Sequence, residues 1–275
     1  MRKVVLLTGA TGFLGRQILT ALLDADVDLR LVVRKGNVSR LLGADTAEIL
    51  YTADLFSERA EWWASVCKGV DTVIHSAWYA EPSLYMQSPK NLDCLVGTLQ
   101  MAAGCVQAGV RRFVGVGTCT EYDVSEGYLS PNTPLRPSTP YGGAKAAAYL
   151  ALSTLLPQQG VEFAWGRLFY LYGEGEDARR FVPYLRTKLA AGEPAELSSG
   201  KQIRDYLNVR LAGEQIASLA LGEIIGAINI CSGKALTIRE LAEQIADEYG
   251  RRDLLHFGAR ADNFYDPPCI VGIPR

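Results

Sequence analysis

Histidine is almost absent from this chain, which has only His75 and His256, and its six cysteines (Cys67, Cys94, Cys105, Cys119, Cys231 and Cys269) form no C-x-x-C pair. That scarcity leaves no ligand set for a zinc or iron–sulfur centre, and no metal is expected. The scattered thiols are read instead as small buried residues of a protein in a reducing cytoplasm. Surplus positive charge is also missing. Against 30 Asp and Glu there are 28 Lys and Arg, a net charge of −2, so no basic face is available for nucleic acid or an anionic membrane. Long apolar runs are lacking too: Met1-Arg2-Lys3 and the short apolar stretch after them resemble the start of a signal segment, but the stretch is too short for a signal or a membrane span. A first β-strand explains it better. What is present is 48% hydrophobic residues over 275 positions, enough for a substantial core.

Directly after the apolar run Val4-Val5-Leu6-Leu7, residues Thr8 to Gly15 read T-G-A-T-G-F-L-G, and a helical pattern begins at Phe13. Gly9 permits a tight turn, Gly12 lets the backbone approach a pyrophosphate, and Gly15 allows helix and strand to pack closely. The helix start offers free amides and its positive dipole end to phosphates. Thr11, Phe13, Leu14 and Arg16 complete this expected dinucleotide site. Further strand-like runs at Leu29 to Val33, Glu48 to Tyr51, Thr72 to Ser76, Arg112 to Val116 and Glu162 to Arg167 alternate with helical patterns at Ser57 to Lys68, Pro89 to Ala108 and Thr139 to Leu156. The strands are too continuously apolar for an exposed face. They predict an α/β fold, a Rossmann doubly wound parallel sheet with helices on both sides. Beyond about Gly173 the pattern turns to helices at Phe181 to Ala191, Leu211 to Leu221 and Ile238 to Tyr249, with a short strand at Ala227 to Ile230. Residues 1–172 are thus read as the cofactor-binding domain and 173–275 as a small C-terminal α/β substrate-binding lobe, with some interleaving of elements.

An acidic residue near the end of the second strand usually takes the adenine ribose hydroxyls, whereas an arginine accommodates a 2′-phosphate. Here that place holds Arg34-Lys35. The planar fork of Arg34, joined by Arg16 from the helix, predicts NADPH (bound NADP) over NAD, with Lys35 equally a solvated strand end. Asp54 and Leu55 are placed to approach the adenine, or Asp54 to cap the next helix. Ser76 and Ala77, at the end of the fourth strand, also belong to the cofactor site. Thr139-Pro140-Tyr141-Gly142-Gly143-Ala144-Lys145 contains a helix start, with Thr139 as N-cap and Pro140 at the first helical position. Tyr141 and Lys145 then share one face, one turn apart. The ammonium and the helix N-terminus are expected to draw the phenol's pKa down from about 10, so that Tyr141 serves as acid or base. Thr118 supplies a hydroxyl at a strand's carboxyl end, where a substrate carbonyl would lie.

Glycine turn, Thr118, Tyr141 and Lys145 in this order resemble the short-chain dehydrogenase/reductase superfamily, and more closely its extended branch of nucleotide-sugar epimerases, dehydratases and reductases. The likeness covers nearly the whole chain: V-I-H-S-A at Val73 to Ala77, Gly97-Thr98, Tyr122, R-L-F-Y-L-Y-G from Arg167 to Gly173, R-D-Y-L-N-V from Arg204 to Val209, N-I-C-S-G from Asn229 to Gly233 and T-I-R-E-L-A from Thr237 to Ala242. The resemblance implies Thr118, Tyr141 and Lys145 as catalytic residues, a nucleotide-sugar substrate, and a homodimer through the helices Pro89 to Ala108 and Thr139 to Leu156. Arg204 and Arg260 fit phosphate or nucleotide contacts, each equally a surface salt-bridge partner. Departures narrow the reaction. Cys119 and Thr120 stand where dehydratases of this branch carry Asp-Glu, and Arg34 stands where its epimerases mostly carry an acid. Cys94 occupies a place commonly Asn, and Phe169-Tyr170 replace a motif whose Asn contacts the sugar diphosphate.

Trp78, Tyr79 and Tyr85 are expected to line the substrate crevice or to pack as core. Cys119 borders the substrate but has no activating partner, so packing is its role. For Glu121, a contact to a sugar hydroxyl competes with a solvent-facing or lysine-paired carboxylate. The reading is NADPH-dependent reduction of a nucleoside-diphosphate-4-keto-6-deoxyhexose, with the hydride supplied by the nicotinamide. Its rivals are an NAD-dependent nucleotide-sugar 4-epimerase and, less favoured because Tyr141 and Lys145 are both kept, a non-catalytic NADP-binding sensor.

Overall fold

The structure, a computed structural model, describes residues 2–41, 43–263 and 265–274. In chain order the elements are β1 (Lys3–Thr8), α1 (Phe13–Leu23), β2 (Val27–Arg34), β3 (Glu48–Thr52), α2 (Ala60–Val66), β4 (Thr72–His75), α3 (Lys90–Ala108), β5 (Arg112–Thr118), β6 (Tyr128–Leu129), α4 (Pro140–Gln158), β7 (Glu162–Leu168), β8 (Tyr170–Tyr172), α5 (Phe181–Ala190), β9 (Ala195–Leu197), β10 (Ile203–Arg204), β11 (Tyr206–Asn208), α6 (Val209–Leu221), β12 (Gly226–Ile230), β13 (Leu236–Thr237), α7 (Ile238–Tyr249), β14 (Leu255–Phe257) and β15 (Cys269–Gly272). Seven of the strands form one sheet in the order β12-β7-β5-β4-β1-β2-β3, and every pairing in it is parallel. This is the doubly wound Rossmann arrangement. Strand order reverses between β1 and β4, and the crevice beyond the carboxyl ends at such a switch is where ligands bind in open α/β sheets.

The core follows from the strands' apolar runs. Val5, Leu6 and Leu7 of β1 are fully buried, each worth about 1.5–3 kcal/mol by burial. Their alternate side chains feed two layers. Leu7, with Ile18 of α1 and Ile216 of α6, belongs to one; Leu6, with Trp63 of α2, Met101 of α3 and Leu152 of α4, belongs to the other. A third cluster, built from Leu185, Leu189, Leu241 and Ile245 of α5 and α7, lies under a smaller group of strands.

Two expectations change in detail. The helix expected from Ser57 to Lys68 shrinks to Ala60–Val66, because Asp54 closes a turn ahead of it, accepting from the Phe56 backbone N at 3.1 Å and from Ser57 Oγ at 3.0 Å. The chain beyond Gly173 also returns to the first layer. Helix α6 packs on α1, and β12 becomes the edge strand beside β7. In exchange, β6 pairs with β15 in the four-stranded sheet β13-β10-β15-β6. No helix among the described residues is long and apolar enough to cross a membrane.

Candidate functional site

At the switch point the glycine turn lies against the end of β4. Gly9 has φ +78°, and a Cβ there would stand 2.8 Å from Ala77 N; at Gly15 it would stand 1.9 Å from Gly9 O. Only hydrogen fits at these places. The backbone is therefore bare where a phosphate would approach, and α1 opens from Gly12 with no side-chain cap, unlike α4, α6 and α7, capped by Thr139, Asn208 and Thr237. Uncapped first-turn amides on a side-chain-free surface fit a dinucleotide diphosphate. A buried relay fixes this turn. Thr98 Oγ1 donates to Cys94 O at 2.7 Å, so it accepts from His75 Nε2 at 2.9 Å; His75 Nδ1 then accepts from Thr8 Oγ1 at 2.9 Å, which in turn accepts from Ala77 N at 3.4 Å. Burial, followed by the Lys145 charge, pushes the imidazole down to about 3, so His75 holds the turn as a neutral ring.

Arg34 ends β2, exposed, its side chain making no hydrogen bond or ion pair to another described residue. It is a free cation at the strand end where the sequence places the adenine ribose. Arg16 is turned elsewhere: its Nη2 donates to Gly175 O at 3.3 Å, across to the loop after β8, while its Nε is buried without a partner among the described residues. The Asp54 carboxylate is engaged in its own turn, and Leu55 packs partly buried against the core. Ser76 is half-buried and Ala77 buried beside Gly9.

Helix α4 brings the proposed catalytic groups to the same crevice. Thr139 Oγ1 accepts from Gly142 N at 3.1 Å and Pro140 takes the first turn, as its fixed φ allows. Thr118 lies at the carboxyl end of β5, its Oγ1 accepting from Thr120 N at 3.3 Å, and its side chain lies near enough to the Tyr141 hydroxyl to favour the phenolate. Lys145 is buried: its Nζ donates to Val116 O at 2.6 Å and lies 3.8 Å from the Trp78 ring centroid. One expectation is corrected here. The phenol is not drawn down by the lysine. Tyr141 as a whole is half-buried, yet burial of its hydroxyl, then the Tyr85 phenol, raises its pKa well above 10. Burial lowers the Lys145 ammonium to about 7. Such a phenol is fully protonated at neutral pH, the form from which a general acid starts.

Aromatic side chains wall this pair. Tyr85 meets the Tyr141 ring edge-on at 4.9 Å and Trp78 does so at 6.4 Å. Asn91, buried at the start of α3, accepts from Trp78 Nε1 at 2.8 Å and donates to Tyr85 O at 2.6 Å and Ser88 O at 2.9 Å. Tyr79, also half-buried, lies under Lys90 Nζ at 4.7 Å from its ring centroid. Cys119 is buried in a cluster with Tyr122, Phe169 and Cys231, and burial pushes its thiol up to about 12. It is an inert packing residue.

In the smaller lobe a cleft of about 500 Å³ is lined by Tyr170, Arg179, Tyr184, Arg204, Tyr206 and Arg260, among others. Its arginines are engaged. Arg204, 3% exposed, donates to Asp266 Oδ2 at 2.7 Å and to Ile203 O at 2.8 Å. Arg260 donates to Tyr184 OH at 3.1 Å, and Arg179 bridges Asp177 and Glu81.

Against known families, residues 5–213 match the model described as the NAD dependent epimerase/dehydratase family. The chain belongs to that family. A family relative, dTDP-6-deoxy-L-talose 4-dehydrogenase (NAD(+)) from Aggregatibacter actinomycetemcomitans, is 24% identical over 274 residues, spanning 98% of each chain. Among solved structures, MoeE5 in complex with UDP-glucose and NAD is 28% identical with a TM-score of 0.81, over 98% of this chain and 89% of that one. UDP-N-acetylglucosamine 4-epimerase from Methanobrevibacter ruminantium M1, in complex with UDP-N-acetylmuramic acid, superposes with a TM-score of 0.87 at 21% identity, over 99% of this chain and 90% of that one.

Within this epimerase/dehydratase framework the sequence reading missed Asn91, and it placed Glu121 wrongly. Glu121 is neither solvent-facing nor ion-paired to a lysine: it is fully buried and paired with Arg167, its Oε2 accepting from Arg167 Nε at 2.6 Å. The signal available was an arginine inside the otherwise apolar strand run A-W-G-R-L-F, because a fully buried arginine needs an anionic partner.

Proposed function

We propose that this member of the family reduces a nucleoside-diphosphate-4-keto-6-deoxyhexose with NADPH. The observation that carries the reading is the convergence of Thr118, at the carboxyl end of β5, with Tyr141 and the buried Lys145, one turn apart on α4, where Lys145 Nζ donates to Val116 O and lies over Trp78, just beyond the strand end that meets the glycine turn. When bound, the nicotinamide supplies the hydride. Tyr141 gives its proton to the carbonyl oxygen, and the pressure of burial on its pKa favours a phenol that arrives protonated. Thr118 donates a second hydrogen bond to that oxygen. Lys145 supplies a nearby donor for the cofactor ribose and, when charged, for the re-protonation of the phenol. Trp78 and Tyr85 offer apolar faces to a 6-deoxy sugar, and the cleft holding Arg204 and Arg260 takes the nucleotide diphosphate, each arginine exchanging a present partner for phosphate. The free Arg34 supports NADPH. The relative's printed name supports a 6-deoxyhexose acted on at carbon 4, and favours NAD as the second reading.

A homodimer through α3 and α4 is part of this proposal, supported by exposed Leu92 and Val96 on α3 and Leu150 and Leu155 on α4. Six free cysteines fit a reducing compartment. The test is incubation with NADPH or NADH and a panel of dTDP- and UDP-linked 4-ketosugars, following nicotinamide oxidation and product configuration. Stoichiometric oxidation is expected. Isomerisation without oxidation would establish the 4-epimerase instead, and cofactor binding with no turnover of any sugar the sensor.

A further inference from the structure

Behind the crevice stands a carboxylate that the reaction above leaves unused. Glu121 Oε1 accepts from the Thr118 backbone N at 2.8 Å and from Trp165 Nε1 at 3.0 Å, and Oε2 takes Arg167 Nε. A Cβ on Gly117 would come within 2.4 Å of Oε1 and 2.1 Å of Trp165 Nε1, so the strand carrying Thr118 is pressed directly onto this pair. From there the guanidinium leads away. It lies over the rings of Tyr149 and Tyr122, at 4.3 and 4.6 Å, and Nη1 donates to Tyr122 OH at 3.1 Å. Tyr122 OH donates to Asn229 Oδ1 at 2.7 Å, and Asn229 Nδ2 to Leu129 O and Ile273 O. The ion pair is thus oriented, its carboxylate end on Thr118 and Trp165, its guanidinium end towards Tyr122 and Asn229. On the crevice side of the Trp165 indole lies Lys145 Nζ, 5.8 Å from the ring centroid.

A buried ion pair adds little stability over apolar packing of the same volume. What it does supply is a fixed field in a medium of low polarity, where charges act over several ångströms. The groups whose charge or hydrogen bonding acts on the Tyr141 hydroxyl are Tyr85, Thr118, Cys119 and Glu121; those that act on Lys145 are His75, Cys94 and Glu121, and its Nζ lies over the rings of Trp78 and Trp165. Burial pushes Cys94 up to about 11 and Cys119 up to about 12, and His75 stays neutral. That leaves the arginine-paired carboxylate as the anion that acts on both groups.

We propose that Glu121 is a positioning residue which, held by Arg167, presents the negative end of a buried ion pair to Tyr141 and Lys145, so that both groups enter the reaction carrying their protons. The direction of proton transfer rests on the reductive reading; the electrostatic assignment does not. The sign is consistent at both groups, since the Glu121 charge raises Lys145 against burial and raises Tyr141 in concert with it.

The test is direct titration of Lys145. Lysines labelled with carbon-13 at Cε are followed by NMR across neutral pH in the full chain, and Lys145→Arg assigns the resonance. In the parent chain the midpoint is expected near 7. In Glu121→Gln it should fall by about one unit, whereas Glu121→Asp, which keeps the charge, should stay close to the parent. A folded Glu121→Gln chain with an unmoved midpoint overturns the proposal. Should that variant fail to fold, the double variant Glu121→Gln, Arg167→Met replaces the ion pair by a neutral pair and is read by the same shift. If the midpoint moves and no 4-ketosugar oxidises the cofactor, the reductase reading fails alone. If sugars are reduced and the midpoint is fixed, the electrostatic assignment fails alone.

Discussion

The two halves of the crevice are built on opposite plans. On the side proposed for the cofactor polar groups are left open: α1 begins without a side-chain cap, Arg16 Nε is buried and unpartnered among the described residues, and the Arg34 side chain stands free at the end of β2. On the side proposed for the sugar nucleotide every arginine of the cleft is already satisfied, Arg204 by Asp266, Arg260 by Tyr184, Arg179 by Asp177 and Glu81. An open donor set is preorganised and needs only its ligand, whereas a self-paired one must trade partners, which lowers affinity and raises selectivity for a ligand of the right charge. The cofactor half is expected to bind tightly and first, the sugar half more weakly.

The largest effect separates the halves cleanly. Tyr141→Phe removes the proton donor and should cut kcat by about 10²- to 10⁴-fold while dinucleotide Kd, read by fluorescence titration, stays within experimental scatter; a parallel loss of cofactor binding would mean the two halves are one. Next comes Arg34→Asp. Losing a charge-assisted contact worth about 1.5–3 kcal/mol should weaken NADPH by about 10- to 150-fold and spare NADH, and an unchanged preference in steady-state kinetics removes Arg34 from the site.

The cofactor turn can also be tested without any ligand. Unfolded histidine titrates near 6.5 and folded His75 near 3, so between these values the unfolded chain binds the additional proton. Stability attributable to the neutral ring is complete above pH 6.5 and falls by about 1.4 kcal/mol per pH unit below it, down to about pH 3. His75→Gln should flatten that acid limb in urea titrations, and parallel limbs would contradict the relay. The smallest effect is expected on the substrate side. Asp266→Asn frees Arg204 and should tighten UDP or dTDP by about 2- to 5-fold, the scale of a partly exposed ion pair; weaker binding in calorimetry would show that Asp266 helps the nucleotide rather than competing with it.

Legibility in the sequence divides along the same line. The glycine turn and the Tyr141–Lys145 pair could be read because each is local: strand, turn and helix follow within one stretch, and a spacing of four fixes a shared helix face. Residues whose meaning depends on strand register could not. Arg167 reaches Glu121 only because β7 lies beside β5 with Arg167 opposite Gly117, next to Thr118. Likewise the strand Ala227 to Ile230 was readable as a strand, but its seat beside β7 is a product of the crossover through α6. Asp54 shows the reverse case, where a local turn explains a residue that the sequence also offered to the cofactor.

The central claim is that hydride leaves the nicotinamide for good and arrives on the sugar ring while Tyr141 supplies the proton. NADPH deuterated at the transferring position, incubated with the 4-ketosugar the panel selects, measures this by mass spectrometry of the sugar product. The account predicts one deuterium on the sugar carbon for each NADPH oxidised. An unlabelled product, or one formed while the dinucleotide stays reduced, would contradict it.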